Sequence, residues 1–579
     1  MSFLRHLAAF AIALNLALGA IIPQVGTRSD ERNRSCSNGP LTRDCWHDGL
    51  SIATDAETKF PTTGNTVYQT LEITNTTCNP DGSGPRPCML VNGQYPGPTI
   101  RASWGDKLEI TVKNRLQHNG TSIHWHGLRQ YHNPGSDGVN GITQCAIAPG
   151  DEATYSFQAT QYGTSWYHSH TSIQYGDGVL GPIVIEGPAS ANYDTDLGPY
   201  MFFEVYGTST ARQAGWQARN KTQAWGGPPK ATNLLINGTN VNADGGGKYN
   251  TVTIQKGKKY LLRLINSSVN TYVRVSLDAH LFNVIASDFV PIKPFKAETL
   301  LLAIGQRYDV VIGADQIPGS YWFRAKVSAL CYSNTARNGS AIWSYGQWNT
   351  SVPPTSSPWP NEPLNCDDQL VSTYWKGEVP SASFSNTLTA NRTHAVATPG
   401  GNTMVAWVLD KPIWTNYSDP TIGYAIRGDS NYPELFNTIE AARQGQWNYW
   451  LIVNDPRQSL PFAIPHPVHL HGHDFFIIGS GSGPFDEATA NLNWKNPVRR
   501  DTASLPGAGW LALAFKSDNP GTWLMHCHVA FHIAEGFGVQ YIEAPGQIKL
   551  QDPATYQQTC DRWVEYDKTA IYRYDDSGL

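Results

Sequence analysis

From about Val67 onward the apolar residues come in short runs separated by turn formers. YQTLEIT is followed by VNGQYPGPTIRASWGDKLEITVKNRL, with Asn-Gly and Pro-Gly as punctuation. The same grammar returns in NLLINGTNV, YNTVTIQKGKKYLLRLINSS, YVRVSLDAHLFNVIASDFVPIKPF, TLLLAIGQRYDVVIGA and YWFRAKV, and again in WLIVNDP, HPVHLHGHDFFIIGS and WLALAFKS. Runs of this kind predict strands throughout, hence an all-β chain. A chain of 579 residues is too long for one core and suggests about three or four domains. The first block spans residues 61–188 and the second 189–350. The Pro-rich SVPPTSSPWPNEPLN lies in a linker, 351–369; a third block covers 370–560, and 561–579 form a C-terminal tail.

The N-terminus sets the compartment. Arg5 and His6 flank an apolar run from Leu7 to Leu18, and small residues Ala17, Gly19 and Ala20 follow, so residues 1–20 read as a secretory signal peptide. Residues 21–60 are an N-terminal segment, with 21–35 a propeptide or a disordered tail. No later apolar run reaches the roughly 18 residues a membrane span needs. The mature protein is therefore expected to be secreted and soluble, with no membrane partner. Nine cysteines agree with an oxidising route: setting Cys527 aside leaves Cys36, Cys45, Cys78, Cys88, Cys145, Cys331, Cys366 and Cys560, an even number. The sequence does not settle their pairing. Sequons at Asn75, Asn119, Asn220, Asn237, Asn266, Asn338, Asn349, Asn391 and Asn416 predict a glycosylated surface.

Composition narrows the class. Charged residues are 15%, aromatics 11%, with 53 Gly and 38 Pro, which suits turn-rich β structure with packed aromatics. The formal net charge of −5 offers no basic footprint for nucleic acid.

Histidine placement carries the chemistry. Most of the 17 His fall in four short segments: HWHG (His124, His126), WYHSH (His168, His170), HPVHLHGH (His466, His469, His471, His473) and HCHVAFH (His526, His528, His532). A lone His on a strand is usually a satisfied core residue, but random scatter does not produce four such clusters. If Trp523 to Val529 is a strand, His526 and His528 face one way and Cys527 the other, so one run touches two metal sites. His532 follows Cys527 closely enough to return to the same ion. One thiolate with imidazoles is the ligand set of a blue-copper site, whereas structural zinc commonly takes paired cysteines. The first two clusters lie in the first block and the others in the last, so the second metal centre sits between those domains. The middle block carries none, and is expected to act as a spacer or as a wall of a substrate cleft.

With these motifs in place the chain, from about Cys36 to Leu579, resembles the multicopper oxidases, specifically the laccases of ascomycete fungi. ATQYGTSWYHSH, LLINGT, GQRYDVVI and RRDTASLPGAGWLALAF are similar as well. The resemblance implies three cupredoxin-like Greek-key β-barrel domains and four copper ions. By motif position, His466, Cys527 and His532 would hold type 1 copper, and His124 and His469 type 2. His126, His168, His170, His471, His526 and His528 would hold the type 3 pair, with His473 not a ligand. His466 and His532 would also present ring edges near the surface to a reducing substrate. Phe537 falls where an axial Met would sit, and Asp137 matches an acid that delivers protons near type 2. Disulfides Cys36–Cys45, Cys145–Cys560 and Cys331–Cys366 are implied; Cys78–Cys88 would be an addition. The final DSGL resembles a tail that enters the channel to the trinuclear site.

One departure stands out. Laccases usually place a carboxylate of the second domain beside type 1 copper to accept a phenol's proton, but Thr232 and Gly246 stand where acids are expected, with Asp244 nearby. That pattern favours a dedicated phenol-coupling oxidase of the dihydrogeodin oxidase kind. The leading expectation is a secreted copper oxidase of phenolic substrates that reduces dioxygen to water. A ferroxidase would need acids by the type 1 histidines, where only Glu535 is close; ascorbate oxidase and a copper-binding glycoprotein without turnover are further alternatives. Oligomeric state is open, with a monomer expected.

Overall fold

The computed structural model describes residues 37–571, 574 and 576–579, apart from 208, 212, 215–228, 347–351, 370, 398–402 and 455–463. The signal-peptide reading, residues 21–35 and Cys36 fall outside the described residues.

Where one strand face meets solvent, the period of two is plain: in Lys107–Asn114 alternate residues are buried. Lys259–Asn266 is buried at every position after the first, because its sheet is covered on both faces. Six sheets form in three pairs, and each pair repeats one plan. The first sheet begins with a strand parallel to a later neighbour: Thr66–Cys78 with Lys107–Asn114, Thr195–Val205 with Lys259–Asn266, Asn386–Ala397 with Trp447–Asn454. The second sheet has a short edge strand, also parallel to its neighbour: Ile100–Ser103 with Leu180–Glu186, Asn250–Ile254 with Gly339–Tyr345, Thr438–Glu440 with Gly538–Glu543. Next come two strands paired antiparallel. These are Gly163–His168 with His124–Trp125, Ser320–Val327 with Val273–Leu277, and Gly521–Cys527 with His466–Leu470. The fold is all-β, a cupredoxin-like unit three times over.

The pieces between the units are packed. Leu50, Ile52 and Ala56 join the apolar core of the first unit, so residues 37–60 are no loose leader. Glu57 of the same segment pairs with Arg499 of the third unit. The Pro-rich linker is strapped down: Trp322 and Trp359 donate to Pro354 O and Leu277 O, and Asp368 accepts from Gln306 and Ser504. Middle and third units share one continuous core running from Leu262 and Phe323 to Trp523 and Tyr541. The tail boundary at 560 falls inside a helix, Pro553–Asp567, which Cys145–Cys560 fastens to the first unit. Cys78–Cys88 and Cys331–Cys366 are also bonded, and Cys45 is disulfide-bonded.

Candidate metal centre

The strand carrying Cys527 ends there, not at Val529, because Val529 caps the short helix Ala530–Ala534. The face-sorting still follows from register. Val468 lies opposite Cys527 and His469 opposite His526, and cross-strand partners share a face. With a period of two, His466 falls on the face of Cys527, while His469 falls on the face of His526.

On the first face, Cys527 Sγ lies 3.6 Å from His466 Nδ1 and 3.5 Å from His532 Nδ1. The helix turns the chain back so that His532 reaches the sulfur. Phe537 closes the group, its ring centroid 4.8 Å from that of His466 and 6.3 Å from that of His532. Burial pushes the Cys527 thiol pKa up and drives His466 down to about 3. Such a sulfur ionises only with a cation beside it, which is what two neutral imidazoles facing it would retain. His466 is 0% and His532 6% exposed, so both are buried, against the expectation that their ring edges lie near the surface.

On the other face eight imidazoles converge. His124, His126 and His168 form one group with donor atoms within 4.8 Å of one another, His170, His471 and His526 a second, and His124, His469 and His471 a third. His126 Nδ1 is 3.1 Å from His528 Nε2, and His471 Nε2 is 3.3 Å from His526 Nε2. Burial, then the neighbouring imidazoles, holds His126, His168, His170, His469, His471 and His528 far below their usual pKa. Neutral rings keep a lone pair. Buried ring nitrogens of His124, His168, His170, His469 and His528 have no hydrogen-bond partner, a costly arrangement that metal ions at their centre would satisfy.

Asp137 stands behind this cluster. Its Oδ2 accepts from His471 Nδ1 at 2.9 Å, its backbone carbonyl from His124 Nδ1 at 2.8 Å, and Oδ1 lies 3.2 Å from the same nitrogen. These contacts fix the tautomers that turn both Nε2 atoms inward. His473 points elsewhere, to Glu543 Oε2 at 3.0 Å.

Two acids escaped the sequence reading. Asp501 Oδ1 lies 3.4 Å from His126 Nε2. Glu204, 1% exposed, accepts from the backbone N–H groups of Val269 and Asn270, and Val269 O accepts from Ala530 N at the start of the His532 helix. Burial raises the Glu204 pKa. An acid inside the apolar run MFFEVY was the available signal. Asp244 is exposed, and Thr232 Oγ1 donates to Val205 O. Glu535 is buried. Asn266 cannot carry a glycan: it is 0% exposed and donates to Thr271 O and Leu302 O. Asp576 to Leu579 are buried, and Leu579 lines a cavity with His168, His170, His526 and His528. Among the described residues no helix is long and apolar enough to cross a membrane.

Comparison with known proteins agrees with this geometry. Multicopper oxidase profiles match residues 72–190, 199–348 and 412–547. The chain is 41% identical to a laccase of Neurospora crassa over 572 residues, covering 94% of this chain and 89% of that one. It is 47% identical to Laccase-3 of Botryotinia fuckeliana over 458 residues, 77% of this chain and 100% of the relative. The crystal structure of the laccase from Botrytis aclada superposes with a TM-score of 0.86 at 39% identity, covering 94% of this chain and 100% of that one. Three matched segments, one per double sheet, and full-length relatives at this identity establish that the chain belongs to the multicopper oxidases, with copper as its cofactor.

Proposed function

We propose that the protein is a laccase-like oxidase that takes single electrons from phenols and reduces dioxygen to water. One observation carries this reading: Cys527 and its two histidine neighbours place two different donor sets on opposite faces of one strand. His466, Cys527 and His532 would hold type 1 copper, His124 and His469 type 2, and His126, His168, His170, His471, His526 and His528 the type 3 pair. Copper bound there would supply one-electron redox chemistry, accepting electrons singly and delivering four to one dioxygen.

The protein's own contributions are positional. The backbone from Cys527 to His526 and His528 joins the two donor sets covalently, so no diffusible carrier is needed. Phe537 offers no donor atom to the sulfur group, which favours the reduced ion and a high potential. Asp137 holds His124 and His471 and is placed to pass protons toward the imidazole cluster. Glu204, whose pKa burial raises, is our candidate for the middle-domain carboxylate that would accept the phenol's proton. Leu579 and the residues before it would narrow access to the imidazole cluster. Secretion follows from the reading of residues 1–20.

The test is oxygen uptake by the copper-loaded protein with a simple diphenol, a bulky bis-phenol and Fe(II) in one assay. Rapid uptake with the simple diphenol is expected, as the laccase relatives favour that reading over a dedicated coupling enzyme. Uptake with the bulky phenol alone, or with Fe(II) alone, would overturn it.

A further inference from the structure

The middle domain holds none of the clustered histidines, yet three successive residues of one of its turns pack against the imidazole cluster or the residues that back it. Gly305, with φ +90°, lies so close that a Cβ there would sit 3.1 Å from His126 Cε1 and 3.1 Å from His528 Cδ2. Gln306 donates to Thr502 O at 3.1 Å and to Asp368 Oδ1 at 2.8 Å. Arg307, 0% exposed, sends both terminal nitrogens to Asp501, Nη1 to Oδ1 at 2.7 Å and Nη2 to Oδ2 at 2.6 Å.

That guanidinium is a three-domain junction. Its Nε donates to Thr164 O of the first domain at 3.1 Å, while Asp501 belongs to the third. Asp288 braces the arrangement, accepting from Arg307 N at 3.0 Å and from both Nε and Nη2 of Arg500. Asp501 in turn backs the cluster. Its backbone carbonyl accepts from His469 Nδ1 at 2.8 Å, and Oδ1 accepts from Thr502 Oγ1, which itself lies 3.3 Å from His126 Nε2 and 3.2 Å from His469 Nδ1. A planar fork on a carboxylate fixes direction as well as distance, which a lysine cannot reproduce.

We infer that Arg307, with Gly305 and Gln306, is a positioning device by which the ligand-free middle domain sets the rings of His126 and His469 through Asp501. The middle domain is then part of the oxygen-reducing centre and not only a spacer or cleft wall. This rests on the assignment of copper to the imidazole cluster under Proposed function. The bonds just given run from the turn to the imidazole cluster, so the two centres are predicted to respond differently.

The experiment is copper loading of Arg307→Lys, Asp501→Asn and the double variant, followed by total copper, the blue absorption of the Cys527 site, the paramagnetic signal of type 2 copper, and the rate of copper loss to a chelator. Arg307→Lys should keep its blue colour while losing imidazole-cluster copper about 10–100-fold faster than the parent protein. The double variant should be no worse than the poorer single one, as expected of one shared interaction. Retention equal to the parent, or parallel loss of the blue site, would overturn the inference. If Arg307→Lys fails to fold, Gly305→Ala takes its place, since its methyl group strikes the two rings first; unaltered type 2 and type 3 signatures there would likewise overturn it. A parent protein that binds copper at the blue site alone would instead refute the ligand assignment on which this rests.

Discussion

The middle and third domains put antiparallel strands in the same topological place and use them oppositely. In the middle domain Val273, Val275 and Leu277 pair with Val327, Ala325 and Phe323. Val273, Val275, Leu277, Phe323 and Ala325 are fully buried, and the reverse face offers Arg274 and Arg324, the latter bonded to Asp278 and the linker. In the third domain the corresponding pair sets Val468 against Cys527 and His469 against His526. The scaffold itself therefore has no need of metal at this position. The outer domains give up apolar contacts there for buried imidazoles, a substitution that costs stability until ions satisfy the nitrogens.

That contrast can be broken from either side. The largest effect is expected from Cys527→Ser: blue absorption should vanish and oxygen uptake with a diphenol fall about 10³-fold or more, equivalent to about 4 kcal/mol in activation free energy. A variant that stays blue would show that the sulfur group is not the entry point. Next comes Phe323→Ala in the matching middle-domain strand, which should lower unfolding free energy by about 3–5 kcal/mol in a denaturant titration while copper content stays at the parent level. Copper loss with an unmoved midpoint would erase the contrast.

Asp137→Asn separates the two faces of the Cys527 strand. Reduction of the blue site by phenol without oxygen should be unchanged, whereas turnover with oxygen should fall about 10²-fold, with its pH profile altered. The smallest effect concerns the N-terminal strap. Burial pushes Glu57 up, but Arg499 and then Arg129 outweigh it and hold its pKa at about 2. The folded value is depressed, so its contribution is present above the ordinary carboxylate range and disappears as pH falls toward about 2. Glu57→Gln should therefore lose about 1–2 kcal/mol near neutral pH and little in strong acid, read from denaturant midpoints at both.

Much of this was legible in the residues. Strand grammar, the three-fold recurrence and the histidine clusters are local patterns, and a period of two suffices to sort His526 from Cys527. What resisted reading was everything made by distant pieces meeting. Asp501 sits in a quoted motif, RRDTASL, but its role comes from Arg307 across a domain boundary. Glu204 is an acid in an apolar strand whose partners, the amides of Val269 and Asn270, are supplied by another loop. Sequence position points to Thr232 and Gly246, whereas the acid tied to the loop that meets the His532 helix comes from the strand Thr195–Val205. The strand ends at Cys527 and not at Val529, and the helix that claims Val529 is too short to show a period in the sequence.

The Cys145–Cys560 bond sets a schedule for making the molecule. Its halves are 415 residues apart, against 10 for Cys78–Cys88 and 35 for Cys331–Cys366. At about 5–20 residues per second, a ribosome needs about 20–80 s between the two sulfurs. The short-range pairs can close as they emerge, leaving Cys145 reactive and alone. Cys331 and Cys366 emerge next and can close on each other; Cys527, free and buried in the finished fold, then appears ahead of Cys560. In an oxidising compartment this order would set up a race, in which the strand Gly521–Cys527 must bury its sulfur before Cys145 captures it. Oxidant supply and chain-elongation rate, more than final stability, would then set the yield of active molecules.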